Sequence, residues 1–330
     1  MPSLARIPVP FVAAALLLGG CGAKPVNIAP PTIEPAQAAV APSPTAAPAG
    51  SVRALTGTPL AAVVDGRALV VLTDRALQLL EPAPALPRSI PLPAAGTALT
   101  GDGAGRVVLA TRGGYLRVEL GTGTVQRVSV DDKADFTAIA RRADGRLVLG
   151  SADGSVFLLD SAGTGVAHRD RLFARVDSIV MQGNTAVVLD RGQTSVTAVD
   201  ADGNATQALR AGEGATVMAA DAAGRVLVTD TRGGELLVFG THPLMLRQRY
   251  PVPDAPYGVT GSPRLTWVSQ TATNSVIGYD LATGIPVEKV RYPTVKQPNL
   301  LAYDDGADAL FVLSAAGAGV QVIDHPGGSR

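Results

Sequence analysis

Arginine, carboxylate and carboxamide side chains recur at turn positions along this 330-residue chain, and their chemistry suits recognition of a charged ligand better than bond breaking. Arg75, Arg112, Asp153, Arg191, Arg232 and Asn274 fall in one kind of turn. Arg175, Asp177, Tyr257 and Asn299 fall in or beside a second kind. The guanidinium fork of arginine pairs bidentately with carboxylates and phosphates. If the two kinds of turn share a face, these ten residues form a candidate rim for clamping a charged small molecule or a peptide. The competing reading is that turn residues satisfy their own backbone and pair in solvent, where an ion pair contributes about 0–1 kcal/mol.

Catalytic chemistry is poorly represented. Cys21 is the only cysteine, so the rest of the chain holds no disulfide, no cysteine-ligated metal and no cysteine nucleophile. His168, His242 and His325 stand far apart, without the close spacing of a metal-binding pair. No G-x-S-x-G motif occurs, and Gly101-Asp-Gly-Ala-Gly105 reads as a hairpin turn rather than a phosphate loop opening a helix. The carboxylates Asp160, Asp200, Asp280 and Asp324 repeat at equivalent points, which suits turn capping more than metal ligation. No cofactor and no metal site are expected. With 28 basic and 28 acidic residues the formal charge is zero, so no global field draws the chain to nucleic acid.

The elements that must position the rim are short strands in a repeat. Runs beginning at Arg67, Arg106, Arg146, Asn184, Arg225, Arg264 and Asp308 share one pattern, a polar start followed by β-branched and aliphatic residues. Their starts are spaced by 39, 40, 38, 41, 39 and 44 residues. A period near forty with Gly and Asp turns predicts an all-β fold, a seven-bladed β-propeller with one four-stranded blade per repeat. One full blade is predicted over 136–140, 147–150, 156–160 and 166–171. The last repeat lacks an outer strand, while 51–57 precedes the first repeat without an assignment. Pairing that segment with the last blade would close the ring and remove two exposed edges. The domain then spans residues 51–330 and is expected to be monomeric. In such a ring the turns between second and third strands share one rim with the loops between blades.

Upstream, one cation (Arg6), an apolar run from Ile7 to Leu18 and the sequence Gly19-Gly20-Cys21 form a secretory signal over 1–20. The ending resembles the lipobox of bacterial lipoproteins. That resemblance implies diacylglyceration of Cys21 and attachment to the extracytoplasmic face of the cell membrane, where two acyl chains hold firmly. Residues 21–50 carry seven prolines after the cysteine among Ala, Ser and Thr. They read as a disordered Pro/Ala-rich linker, a stalk of up to roughly 90 Å at about 3.1 Å per residue.

Thr266-Trp-Val-Ser-Gln-Thr-Ala-Thr-Asn-Ser-Val-Ile-Gly-Tyr-Asp-Leu-Ala-Thr-Gly284 resembles the YVTN-type repeat of YncE-like bacterial propellers, and 151–160 and 193–200 keep its core. With the lipobox and linker added, the chain resembles conserved actinobacterial lipoproteins of the mycobacterial type. These resemblances imply a lipid-anchored, non-enzymatic binding or scaffold module for a protein, peptide or cell-envelope ligand. Gluconolactonase-like propellers hold a channel metal with carboxylate and Asn side chains. Asp177, Asp221, Asn299 and Asp304 would supply such a set here, making the alternative a metal-dependent hydrolase, lactonase or lyase.

Overall fold

The computed structural model describes residues 31–82 and 87–328; the expected signal peptide, Cys21 and the first part of the linker lie outside them. Every regular element among the described residues is a strand, and the strands form seven four-stranded antiparallel sheets arranged as a β-propeller. Blade 3 shows the plan. Phe136–Arg141 lies innermost, followed outward by Leu147–Ser151, Ser155–Leu159 and Val166–Arg171. The innermost strand of each blade packs beside that of the next, and blade 7 meets blade 1.

The ring closes as the chain ends predict. Ser51–Arg53 forms the outer strand of blade 7, with Ser51 opposite Val322 and Arg53 opposite Val320. Pairing the start of the domain with its last sheet leaves no blade short of a strand.

Position within a blade explains the sequence pattern. The two middle strands of blade 3 are buried along their whole length because neighbouring blades cover both faces. The outer strand alternates between exposed and half-buried residues. Apolar side chains interdigitate across each gap: Ala138, Val148 and Leu158 of blade 3 meet Ile179 and Val188 of blade 4. Closure uses the same chemistry, with Leu69 and Val71 of blade 1 against Leu313 and Val320 of blade 7. Each fully buried Val, Leu or Ile contributes about 1.5–3 kcal/mol. Gly150 in blade 3 has no room for more, because a Cβ there would lie 2.0 Å from Val176 Cγ1. Bulges recur at the start of the inner strands of blades 3, 5, 6 and 7, at Phe136/Ala138, Ala215/Val217, Pro256/Val259 and Pro298/Leu300. They add local twist where each strand turns into the channel.

A second, polar set of contacts fixes the loops between blades. In blades 2, 4, 5, 6 and 7 the last residue of the second strand is buried and holds the backbone of the preceding loop. Thr111 Oγ1 donates to Ala95 O at 2.9 Å, and Gln270 Nε2 donates to Pro253 O at 2.7 Å. Ser314 Oγ donates to Lys296 O at 2.6 Å. In blades 4 and 5 the residue is a fully buried carboxylate. Asp190 accepts from the amides of Ala174, Arg175 and Gln193. Asp230 accepts from Glu213, Gly214 and Gly233 at 2.7, 2.8 and 2.9 Å.

Leaving buried amide donors without an acceptor costs about 1–3 kcal/mol each. Asp230→Ala is therefore expected to lower the unfolding free energy by about 3 kcal/mol or more in a denaturant titration. Asp230→Asn, which keeps one acceptor oxygen, should cost less; equal stability of wild type and Asp230→Ala would contradict this role.

Candidate functional site

The turns between second and third strands and the loops between blades lie on one face of the ring, called here the upper face. The opposite, lower face carries the first-to-second and third-to-fourth turns. The upper face is partly covered by the chain itself. Residues 31–50, expected as part of a free stalk, lie across it as an extended strap from blade 4 to blade 7, so the disordered-linker expectation is corrected over this stretch.

Hydrogen bonds explain why the strap docks. A proline-rich chain has few amide protons, builds no ladder of its own and leaves its carbonyls for outside donors. The rim supplies them. Arg232 Nη2 donates to Glu34 O at 2.7 Å and Arg191 Nη2 to Ala36 O, while in the opposite sense the strap's Ile33 N donates to Gly192 O at 2.8 Å. Gln297 grips both sides of Val40, donating from Nε2 to Ala39 O and accepting from Ala41 N, each at 2.8 Å. Asn274 Nδ2 donates to Pro42 O at 2.9 Å. Ala36 and Ala41 point into the ring and are buried, while Val40 is 91% exposed. Gly214 makes room for the strap, since a Cβ on it would stand 2.9 Å from the Cβ of Ala36. The chain then passes between blades 6 and 7, where Ala49 N donates to Pro293 O and Gln321 Nε2 donates to Ala49 O.

Two of the gripping carboxamides stand on unusual backbone. Asn274 and Gln297 have φ of 49° and 57°, in the left-handed region that costs energy for a residue with a Cβ. Asn274 Oδ1 accepts from Gln297 N at 3.0 Å, which ties the two turns together. Asn299 completes the group by accepting from Gln297 Nε2 at 3.0 Å.

The expected rim residues thus separate into groups rather than one ring. Arg191, Arg232, Asn274 and Asn299 belong to the strap seat. Arg175 pairs with Asp177 at 3.1 Å, and Asp177 Oδ2 accepts from Arg191 N at 2.8 Å. Asp153 is bound within its own turn by Ser151 and Ser155 and reaches Arg169 at 3.4 Å. Burial opposes its charge, but these hydrogen bonds and the arginine outweigh that and hold its carboxyl below the usual carboxylate range. Tyr257 is half-buried in the inner strand of blade 6, where its carbonyl accepts from Thr229 Oγ1. Arg75 and Arg112 face solvent on blades 1 and 2, beyond the strap, and their guanidinium groups have no hydrogen bond or ion pair among the described residues. Gln297, the most fully engaged strap ligand, falls beside Asn299 in a loop between blades, so the sequence places it on the rim but does not mark it out among the ten candidates.

The four side chains of the channel-metal alternative are not brought together. Asp177 and Asn299 sit at the upper starts of inner strands, whereas Asp221 and Asp304 sit at the lower ends. Asp221 binds Arg225 Nε at 2.6 Å, and Asp304 caps its turn through the amides of Gly306 and Ala307. Among the described residues no three His, Cys, Asp or Glu side chains are grouped to share an ion. The channel between the inner strands encloses about 530 Å³ and is lined largely by aliphatic residues such as Val63, Leu99, Ile179 and Met218. Turn capping accounts for three of the four repeated carboxylates: Asp160, Asp200 and Asp280 each accept backbone amides of their own turns.

No protein-family model and no curated protein matches the chain. Its fold is similar to several solved structures. Hydrazine synthase of Kuenenia stuttgartiensis aligns with a TM-score of 0.68 at 12% identity, covering 84% of this chain and 98% of the other. A streptogramin B lyase gives 0.68 at 10% identity, covering 82% and 94%. A component of the mitotic checkpoint complex gives 0.73 at 10% identity, covering 88% and 98%. At such identities the likeness establishes the fold class, a seven-bladed β-propeller, and nothing finer.

The strap seat is directly testable. The double variant Arg191→Ala/Arg232→Ala removes two of its donors on blades 4 and 5. Amide hydrogen exchange over residues 33–41 is expected to quicken by tenfold or more, with the amides of the blade cores unchanged. Exchange in the strap equal to wild type would show that these arginines do not hold it.

Proposed function

We propose that the protein is a lipid-anchored extracytoplasmic binding module whose upper face takes an extended segment of a protein, peptide or cell-envelope partner. The observation that carries this reading is the strap. Arg191, Arg232, Asn274 and Gln297 all direct donors at main-chain carbonyls of an extended proline-rich segment. A surface that reads backbone in that way suits polypeptide recognition, because polyproline-like chain has little entropy left to lose on binding. Blades 4–7 are occupied by the strap. Arg75 and Arg112 on blades 1 and 2 offer uncommitted guanidinium groups on the same face, suited to a partner's carboxylates or carbonyls. The aliphatic channel and the separated carboxylates give no comparable support to a hydrolase, lactonase or lyase.

Membrane attachment is part of the proposal and rests on Cys21 in its lipobox-like setting. No helix of the described residues is long and apolar enough to cross a membrane. In intact cells, crosslinking is expected to capture a partner that the variant Arg75→Glu/Arg112→Glu loses by more than tenfold. Cys21→Ala is expected to move the protein from the membrane fraction to the soluble fraction. Capture unchanged by the charge reversals would refute the rim assignment, and continued membrane association of Cys21→Ala would refute the anchor.

A further inference from the structure

The lower face holds a second feature, independent of the rim. A recess of about 240 Å³ lies between the lower turns of blades 2 and 3, and Arg106, Arg117, Arg141 and Arg146 all line it. Its volume falls below the roughly 300–1,000 Å³ of sites for drug-sized ligands. It fits a small head group rather than a large molecule.

Four arginines converge here, but two are already committed. Arg106 pairs with Glu119 at 2.5 Å, and Arg146 pairs with Asp144 at 2.9 Å. Arg117 and Arg141 have no carboxylate at ion-pair distance among the described residues. The carboxylates of the recess are engaged elsewhere. Asp160 accepts the amides of Thr164 and Gly165, and Asp102 accepts those of Ala104 and Arg106. Burial opposes the charge on Asp102. The two amides and the charges of Arg106 and Arg141 outweigh it and keep its carboxyl below the usual range. Arg117 and Arg141 are therefore the two guanidinium groups of the recess whose donors no carboxylate occupies.

Arg117 is also positioned by a buried residue. The Tyr115 ring is fully buried, and its hydroxyl donates to Gly163 O at 3.0 Å. That hydroxyl accepts from Arg117 Nη2 at 3.1 Å, and the guanidinium carbon lies 5.9 Å from the ring centroid. Gly163, with φ of 76°, is the point of close approach: a Cβ there would lie 2.8 Å from the Tyr115 hydroxyl oxygen. Across the recess, the Arg141 guanidinium lies against the open face of Gly145. Two forks of donors, one half-buried and one exposed, thus face one small space. Guanidinium donors make charge-assisted hydrogen bonds to an oxyanion that are roughly twice as strong as neutral ones.

We propose that this recess is a binding site for a phosphate group, held by Arg117 and Arg141 with Arg106 and Arg146 at its edges. The phosphate belongs either to a soluble ester or to an anionic lipid head group.

Titration calorimetry of the full-length protein with inorganic phosphate and with glycerol 3-phosphate, at constant ionic strength, tests the site. Saturable binding at one equivalent is expected. Arg117→Gln and Arg141→Gln should each weaken it by tenfold or more, while Arg249→Gln, on the outer strand of blade 5, leaves it unchanged. Arg141 is exposed, so its variant is expected to keep the wild-type thermal transition and separates loss of binding from loss of fold. Flotation of the Cys21→Ala chain with phosphatidylcholine vesicles, with and without phosphatidylglycerol, identifies the source. Preferential flotation with phosphatidylglycerol, reversed by phosphate, assigns a head group; phosphate binding without that preference assigns a soluble ester. Absence of saturable binding in every arm, or binding that survives both arginine variants, would overturn the site.

Discussion

The ring depends on a polar contact inside an otherwise aliphatic stack. At the end of the second strand in blades 2, 4, 5, 6 and 7, one buried side chain takes hold of the loop that arrives from the blade before. Apolar packing alone favours blades lying face to face but does not set how far each is rotated against its neighbour. Short hydrogen bonds from a buried group to main-chain atoms do set it, because any slip leaves an amide or carboxylate without a partner. The two fully buried carboxylates, Asp190 and Asp230, carry the largest share, with three amide donors each. They lie directly beneath the part of the upper face where the strap begins, so the firmest loops of the ring are also those that present Arg191 and Arg232.

The strap gives the upper face two unequal halves. Over blades 4–7 the polar groups are consumed by an intramolecular ligand, and over blades 1 and 2 they remain open. One surface chemistry, donors aimed outward from turns, thus holds the chain's own segment over one half and stands unoccupied over the other. The lower face differs in kind. Its recess is small, lined by four arginines and backed by a buried tyrosine, which suits a compact anion and gives no purchase to an extended chain.

Much of the fold was legible because it is repetitive and local. The aliphatic runs starting at Arg67, Arg106 and Arg146 are middle strands covered on both sides, and such coverage leaves an unbroken apolar signature. The outer strand of blade 7 could be found because the last repeat is one strand short. The stacked pair Trp267 and Tyr292, with ring centroids 6.4 Å apart, packs into the apolar cluster shared by blades 6 and 7. The strap was hidden for a physical reason. Its composition is that of a disordered chain, and its docking depends on side chains 155 to 258 positions away, such as Arg191 and Gln297. The phosphate recess was hidden similarly, since Arg117 and Arg141 come from different blades and meet only when blades 2 and 3 stack. Asp190 and Asp230 stand beside the rim arginines Arg191 and Arg232 in the sequence, but only the structure shows them buried beneath the turns.

The route taken by residues 31–53 also has a mechanical meaning. The chain runs across four blades, threads between blades 6 and 7 at Ala49, turns at Gly50 and becomes the strand that seals the ring. A pull on the amino-terminal side therefore meets the strap first and peels it from Arg232, Arg191, Gln297 and Asn274 one contact after another. Only when that slack is spent does tension reach Ser51–Arg53 and the closure of blade 7. The strap contacts stand in series ahead of the ring closure, so load arriving from that side falls on single hydrogen bonds before it falls on a sheet.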